Sequence, residues 1–472
     1  MSPARAAATA SCSFTALSRA GGSEPLRPGD SHDDSYFRDH RDDTACDHHE
    51  IRRRISGCRL TNVAEEVAMH LERNDAMSRL LDRHPTVEHV AGSAGQGTLI
   101  RRSQLLVSAR DAAEVEARTA RWLDRRDDDE QAGIAVLRLR PGVDVCEIAA
   151  GLSGDAPHRT LSAGPNHILT AAPNWRPGPA DDPIPAAAIA GPPPVQSGRR
   201  TVNVAVLDTG ISAHPWFTGR EWFGSCGPEV IEVPDANHDD RLDSVAGHGT
   251  FIAGVVAMQA PSANLTIGKV IAGDGVTDEL RLLRGLAQLR AHAHEHRTPV
   301  DVVSLSLGCY THDNRPSPVL EQGLHRFGHE TAIVACAGNF SSDRPYWPAA
   351  LKRVLAVASL NTDGTDRAEF SNFGWWVDAC TLGDGIVSSF FSFDGPAEGS
   401  SNPEDFTGYA TWSGTSFAAP RVAGAIAARA AEHGISAAAA AAALLDASDH
   451  PSMPDLGVLV DPRPEVTPES SP

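Results

Sequence analysis

From residue 202 onward, short and almost wholly apolar runs alternate with amphipathic stretches. Residues 202–207, 265–270, 300–305, 332–336 and 354–358 are rich in β-branched side chains and too short for independent helices. Helical periodicity separates several of them, at 250–258, 278–296 and 318–328. Apolar strands alternating with helices predict an α/β fold, a doubly wound parallel sheet covered on both faces. Functional side chains in such sheets gather at the carboxyl ends of the strands. Residues 421–431, rich in alanine and with Gly424 the one strong breaker, predict a helix that begins near Ser416.

Before residue 202 the pattern differs. Residues 104–109, 134–140 and 167–171 read as strands, 111–126 as an amphipathic helix and 145–152 as a short one. Strands alternating with helices over so short a span predict a smaller N-terminal α+β domain, which with a helical lead-in from residue 63 covers 61–173. Prolines at 173, 177, 179, 183, 185 and 192–194 make 174–200 an extended linker. Residues 1–60 are polar and poor in aromatics, a composition that predicts disorder. The sheet domain is expected to span 201–447, and 448–472 to form a tail.

Composition narrows the function classes. Lys+Arg 41 against Asp+Glu 61 gives a formal charge of -20, which disfavours a nucleic-acid partner. No apolar run approaches the roughly 18 to 20 residues that span a bilayer. Residues 1–22 lack the apolar core of a secretory signal, so a cytoplasmic protein is expected, with a secreted one as the alternative. The 8 cysteines are accordingly expected to be free thiols.

Four residues stand where such a sheet would carry chemistry. Asp208 follows the first strand in Val-Leu-Asp-Thr-Gly, His248 opens a helix in Gly-His-Gly-Thr, Asn339 ends a strand in Ala-Gly-Asn, and Ser416 starts the closing helix in Gly-Thr-Ser-Phe-Ala-Ala-Pro. A serine hydroxyl needs a base to become a nucleophile, and the base needs a partner that fixes its tautomer and stabilises its cation. Asp, His and Ser supply those parts, and an amide at a strand end can donate to an oxyanion. Each residue alone has an ordinary reading as a turn former or cap; four in one chain order do not.

With Ser306-Leu307-Gly308 added, residues 201–447 resemble the subtilisin-family (S8-type) serine endopeptidases, whose order is Asp, His, Ser. The resemblance implies that Asp208 orients, His248 acts as base and then acid, and Ser416 forms the acyl-enzyme. It implies an oxyanion hole of the Asn339 side chain and the Ser416 N–H, polypeptide substrates and no catalytic cofactor. Substrate would pair as an extra strand with Ser306, Leu307 and Gly308 on one side and Gly273 and Gly275 on the other. Sedolisin-type proteases share Gly-Thr-Ser but carry Glu in place of the histidine. This chain departs from the family pattern in Phe340, directly after Asn339, and in an insertion at 390–407.

The N-terminal α+β domain is similar in element order to subtilisin propeptides, which implies an intramolecular inhibitor and a self-cut between residues 173 and 200, near 186–189. The alternative is a latent interaction protein whose cleft that domain keeps filled. Asp235, Asn237, Asp239 and Asp243 place oxygen ligands at alternate positions, as at the start of a calcium loop, although Asp240 replaces the turn glycine and Ala246 the bidentate acid.

Overall fold

The apolar runs after residue 202 do form the spine of the fold. The computed structural model describes residues 77–92, 97–154, 161–171, 182–195, 200–398 and 403–460. The expectations for 1–60 and 63–76 lie outside these residues.

The N-terminal domain runs through α1 (77–83), β1 (Val87–Val90), β2 (Thr98–Ser108), α2 (Ala112–Thr119), β3 (Leu123–Asp129), β4 (Ile134–Leu139), α3 (Val145–Gly154) and β5 (Ala163–Thr170). Its sheet has the order β3-β4-β2-β5, with β1 on β2, and Leu105, Val107, Ala112, Val115, Leu137 and Leu152 close a core of their own. The helix expected over 111–126 stops at Thr119, and the residues after it form the edge strand β3. Arg125 to Asp129 carry no apolar period, so the strand is invisible to hydrophobic patterning. It is held by charge pairs such as Arg138 with Asp127 across the ladder, 2.9 Å, and charged edges resist adventitious pairing.

After the linker strand β6 (Ile184–Pro185) come β7 (Asn203–Asp208), α4 (Glu221–Gly224), α5 (His248–Gln259), β8 (Asn264–Lys269), β9 (Val276–Asp278) and α6 (Glu279–His296). These are followed by β10 (Val302–Leu305), α7 (Pro318–Leu324), β11 (Ala332–Cys336), β12 (Leu355–Leu360), β13 (Ala379–Leu382), β14 (Ile386–Pro396) and β15 (Pro403–Trp412). The chain ends in α8 (Thr415–His433), α9 (Ala437–Leu444), β16 (Ser452–Met453) and β17 (Gly457–Leu459). The main sheet has the order β16-β17-β13-β12-β11-β10-β7-β8, parallel except for β16. β10 and β11 are buried along their whole length, which is why they show no polar alternation. The strand order reverses beside β7, and a crevice opens there at the carboxyl ends of β7 and β10.

Two expectations are corrected. The tail expected after residue 447 returns to the sheet as β16 and β17; both strands are too short to register as a period. The linker is not free throughout, because Ile184 and Pro185 pair with Thr411 and Ala410 of β15, and Ala186 N–H donates to Tyr409 O at 3.1 Å. The residues that pair with Gly308 and Gly275 in this structure are Thr170 and Ala171. The insertion at 390–407 forms the hairpin of β14 and β15, and Ser388 and Ser389 donate to Phe251 O and Thr250 O of α5 at 2.8 and 2.9 Å.

The N-terminal domain docks through polar contacts around the start of α6. Buried His167 lies 3.0 Å from the buried Glu279 carboxylate, which also accepts from Ser317 Oγ at 2.7 Å. Arg101 with Asp278, Arg284 with Asp129 and His84 with Asp274 each meet at 2.7 Å. Among the described residues no helix is long and apolar enough to cross a membrane, and Cys146, Cys226, Cys309, Cys336 and Cys380 are free thiols.

Candidate active site

The ends of β7, β10 and β11 and the starts of α5 and α8 converge on the crevice. Asp208 is the last residue of β7 and His248 the first of α5; both are fully buried. His248 Nδ1 lies 2.7 Å from Asp208 Oδ1, which also accepts the Thr209 N–H at 2.8 Å. A carboxylate on Nδ1 holds the proton there and leaves Nε2 as the basic nitrogen. Among the described residues Nε2 is buried and has no hydrogen-bond partner. The imidazole packs against Trp412 and Phe417, each 5.4 Å away between ring centroids and 5.2 Å from each other.

Ser416 is the second residue of α8, where backbone N–H groups lack intrahelical acceptors and the helix dipole is positive. Pro420 sits four residues on and cannot donate to the Ser416 carbonyl. Ser306 Oγ donates to that carbonyl instead, at 2.8 Å, so Ser306 braces the helix start that carries the hydroxyl. Cys336 lies beneath; burial pushes its thiol up to about 12, partly offset by its contacts with the Ser416 and Thr415 side chains. It is a neutral packing group at neutral pH.

Asn339, 6% exposed, accepts the Thr415 N–H at 2.9 Å and the Thr415 hydroxyl at 2.8 Å with Oδ1. That network fixes the orientation of the amide and reserves Nδ2 as its donor. The crevice is filled by the chain's own β5. Thr170 and Gly308 exchange two backbone bonds, 2.9 and 3.1 Å, while Ala171 N–H donates to Gly275 O at 3.2 Å. On the far side β5 pairs with β9, and Ser416 Oγ donates to Ala171 O at 3.1 Å.

Of the expected edges, Gly308 and Gly275 take part in this pairing. Leu307 is a core residue with no exposure, and the Gly273 carbonyl accepts Val245 N–H at 2.9 Å. The acidic loop closes on itself: Asp235 accepts from Asp239 N and Asp240 N, Asn237 from Asp239 N, and Asp243 from Ala236 N, all within 3.1 Å. Among the described residues no group of three or more His, Cys, Asp or Glu is arranged to hold a metal ion. Asp235, Asn237 and Asp243 thus spend these side-chain oxygens on backbone N–H groups, as does Asp239 on Arg241 N at 3.1 Å, and no step below uses a metal.

Sequence reading missed Glu232, which lies between Ile231 and Val233 in no motif. It is buried, and accepts Gly247 N–H at 2.7 Å and Thr250 Oγ at 2.8 Å, bracing the start of α5. Burial raises the pKa of this carboxyl, opposed by hydrogen bonds from Thr209, Thr250 and Gly247. The folded protein thus keeps this proton to higher pH than the unfolded chain. Its contribution to stability is full below the ordinary glutamate range and lost as pH rises toward the folded value. Glu232→Gln has no such loss, so the midpoint of thermal unfolding of the variant relative to wild type should climb as pH rises above the ordinary glutamate range. A difference that stays constant with pH would contradict the assignment.

An acid–histidine pair thus lies beside a serine at a helix start, at the carboxyl ends of a doubly wound sheet, in the chain order Asp, His, Ser. The comparisons agree: residues 199–459 match the subtilase family, and the chain belongs to it. The thermophilic serine proteinase of Bacillus sp. (strain AK1) is 31% identical over 246 residues, 49% of this chain and 52% of that one. The major intracellular serine protease of Bacillus subtilis (strain 168) is 29% identical over 247 residues, 48% of this chain and 68% of the relative. Subtilisin BL of Lederbergia lenta is 32% identical over 236 residues, 48% and 75% of the two chains. The chain thus spans about half the length of the first of these relatives.

Proposed function

We propose that this chain is an endopeptidase that hydrolyses peptide bonds with Asp208, His248 and Ser416, and that its N-terminal domain inhibits it from within. The observation that carries the reading is the polypeptide strand seated in the crevice, paired on both sides, with Ser416 Oγ on the Ala171 carbonyl. In this reading His248 Nε2 takes the serine proton as Oγ attacks the carbonyl carbon. Asp208 holds the imidazole and stabilises its cation. The Asn339 amide and the Ser416 N–H receive the oxyanion, and collapse of the tetrahedral intermediate returns the proton to the leaving amine. Water then repeats the sequence on the acyl-enzyme.

A substrate held by main-chain bonds must be locally extended, so unfolded segments are the substrate class this cleft suits. The test is a fluorophosphonate probe on the purified full chain. Slow labelling at Ser416 is expected, and is lost in Ser416→Ala; a chain left unlabelled both as wild type and as Thr170→Pro, beside a labelled control hydrolase, would overturn the reading. If β5 is the inhibitor, Thr170→Pro should raise both the labelling rate and peptide hydrolysis, because it removes the N–H that donates to Gly308 O. Unchanged or slower labelling in that variant would count against inhibition.

A further inference from the structure

Asp208 and His248 come from different elements, so the end of β7 must be held against the start of α5. Their own bond of 2.7 Å is one link. A second runs through the chain between them. Ile211 N–H donates to Val230 O at 2.9 Å and Glu232 N–H to Ile211 O at 3.0 Å, which laces the Glu232 segment to the residues that follow Asp208. Ile231 and Val233 on either side are exposed, while the Glu232 side chain turns inward and is buried.

What meets its carboxylate is a set of donors. The Gly247 N–H lies 2.7 Å from Oε1 and the Thr250 hydroxyl 2.8 Å from Oε2. Thr250 Oγ itself accepts the Ser212 N–H at 2.9 Å, and Thr209 Oγ accepts the Gly249 N–H at 2.8 Å. A hydroxyl that accepts from a fixed N–H turns its own proton the other way, and both threonine side chains bond Glu232. The carboxylate thus holds residues 247 and 250, on either side of His248. Through Thr209 it also holds residue 249 and the residue after Asp208. The two backbones are pressed together there: a Cβ built on Gly249 would fall 2.3 Å from Gly210 O. None of these bonds uses the imidazole or the Asp208 side chain.

We propose that Glu232 is a positioning residue for His248, its carboxylate clamping the end of β7 to the first turn of α5 and keeping the imidazole aligned between Asp208 and Ser416. The inference rests on the peptidase reading above. A displacement of about 1 Å costs a reaction about 10²-fold, so a loosened clamp is felt in the chemical step. Glutamine is no substitute. It must present its NH₂ either to the Gly247 N–H or to the two hydroxyls, and each of these approaches as a donor.

The experiment measures kcat and KM on an unstructured peptide, with Thr170→Pro in every chain so that β5 does not mask the cleft. Glu232→Gln should lower kcat ~10- to 100-fold and leave KM within about twofold, because the strand partners Gly308 and Gly275 lie on other segments. Thr250→Val should lose part of this and Thr250→Ser restore it, a pair that serves if the glutamine variant does not fold. Leu286→Ala, on the buried face of α6, controls for lost stability. Assayed at the same interval below its thermal midpoint, it should keep kcat. The inference is overturned by a folded Glu232→Gln within about twofold of its parent in kcat, or by one that loses no more than Leu286→Ala. A loss carried by KM alone, or equal kcat in folded Thr250→Val and Thr250→Ser, overturns it too. A parent chain that hydrolyses the peptide keeps the peptidase reading in each of these cases. A parent inert to both peptide and fluorophosphonate removes both.

Discussion

Ser416→Ala and His248→Ala are each expected to reduce kcat for peptide hydrolysis by on the order of 10⁶, a magnitude that belongs to subtilisin itself. The reason is local. The pair formed by His248 and Asp208 is closed from solvent, and Nε2 has no hydrogen-bond partner among the described residues. Without the hydroxyl it has no proton to take; without the imidazole the hydroxyl remains a weak nucleophile at neutral pH. No neighbour substitutes. The nearby Cys336 thiol is pushed by burial up to about 12, so it offers no thiolate at neutral pH.

Because the two groups act as a unit, the double variant should be hardly worse than either single one. What remains over water, roughly 10³- to 10⁴-fold, would come from the oxyanion donors and from binding. The measurement is kcat on an unstructured peptide, with thermal midpoints to confirm folding. Either variant within tenfold of wild type would remove the mechanism.

How much of this was legible in the sequence follows from what each segment must do. β7, β10 and β11 are buried on both faces, so their composition announces them. Ser416 and His248 were legible because small residues and fixed turns must surround groups placed at helix starts beside strand ends. β3 was not, since its pairing is carried by arginine and aspartate rather than by an apolar face. β16 and β17 are too short to carry a period, and tertiary contact decides them.

Glu232 was hidden for a different reason. Its partners are a backbone N–H at Gly247 and a hydroxyl at Thr250, neither of which marks a spacing. Gly273 and Gly275 look equivalent in sequence, and only the fold shows that the Gly273 carbonyl is taken by Val245. In the acidic loop the alternate oxygen side chains serve backbone N–H groups, a use that the same spacing suits as well as it suits a cation.

Asp208→Ala should lower kcat by roughly 10⁴, the order found for the corresponding aspartate of subtilisin. The loss combines two effects, the missing charge opposite the imidazolium and the missing hold on its tautomer. Asp208→Asn separates them in this protein. Asp208 Oδ1 accepts two donors, His248 Nδ1 at 2.7 Å and Thr209 N–H at 2.8 Å, while Oδ2 has no hydrogen-bond partner among the described residues. An asparagine must keep its oxygen toward the Thr209 N–H, since its NH₂ there would oppose a fixed donor. That orientation still accepts from Nδ1–H, so the productive tautomer survives and only the charge is lost. Its NH₂ then takes the place of Oδ2, a buried donor without a partner, at a stability cost of about 1–3 kcal/mol. Asp208→Asn is therefore expected to be less stable than wild type yet clearly more active than Asp208→Ala. Paired kcat measurements and thermal midpoints for the two variants decide it. An asparagine variant no more active than the alanine one would mean that the Thr209 N–H does not hold the side chain, and that the imidazole turns to the wrong tautomer.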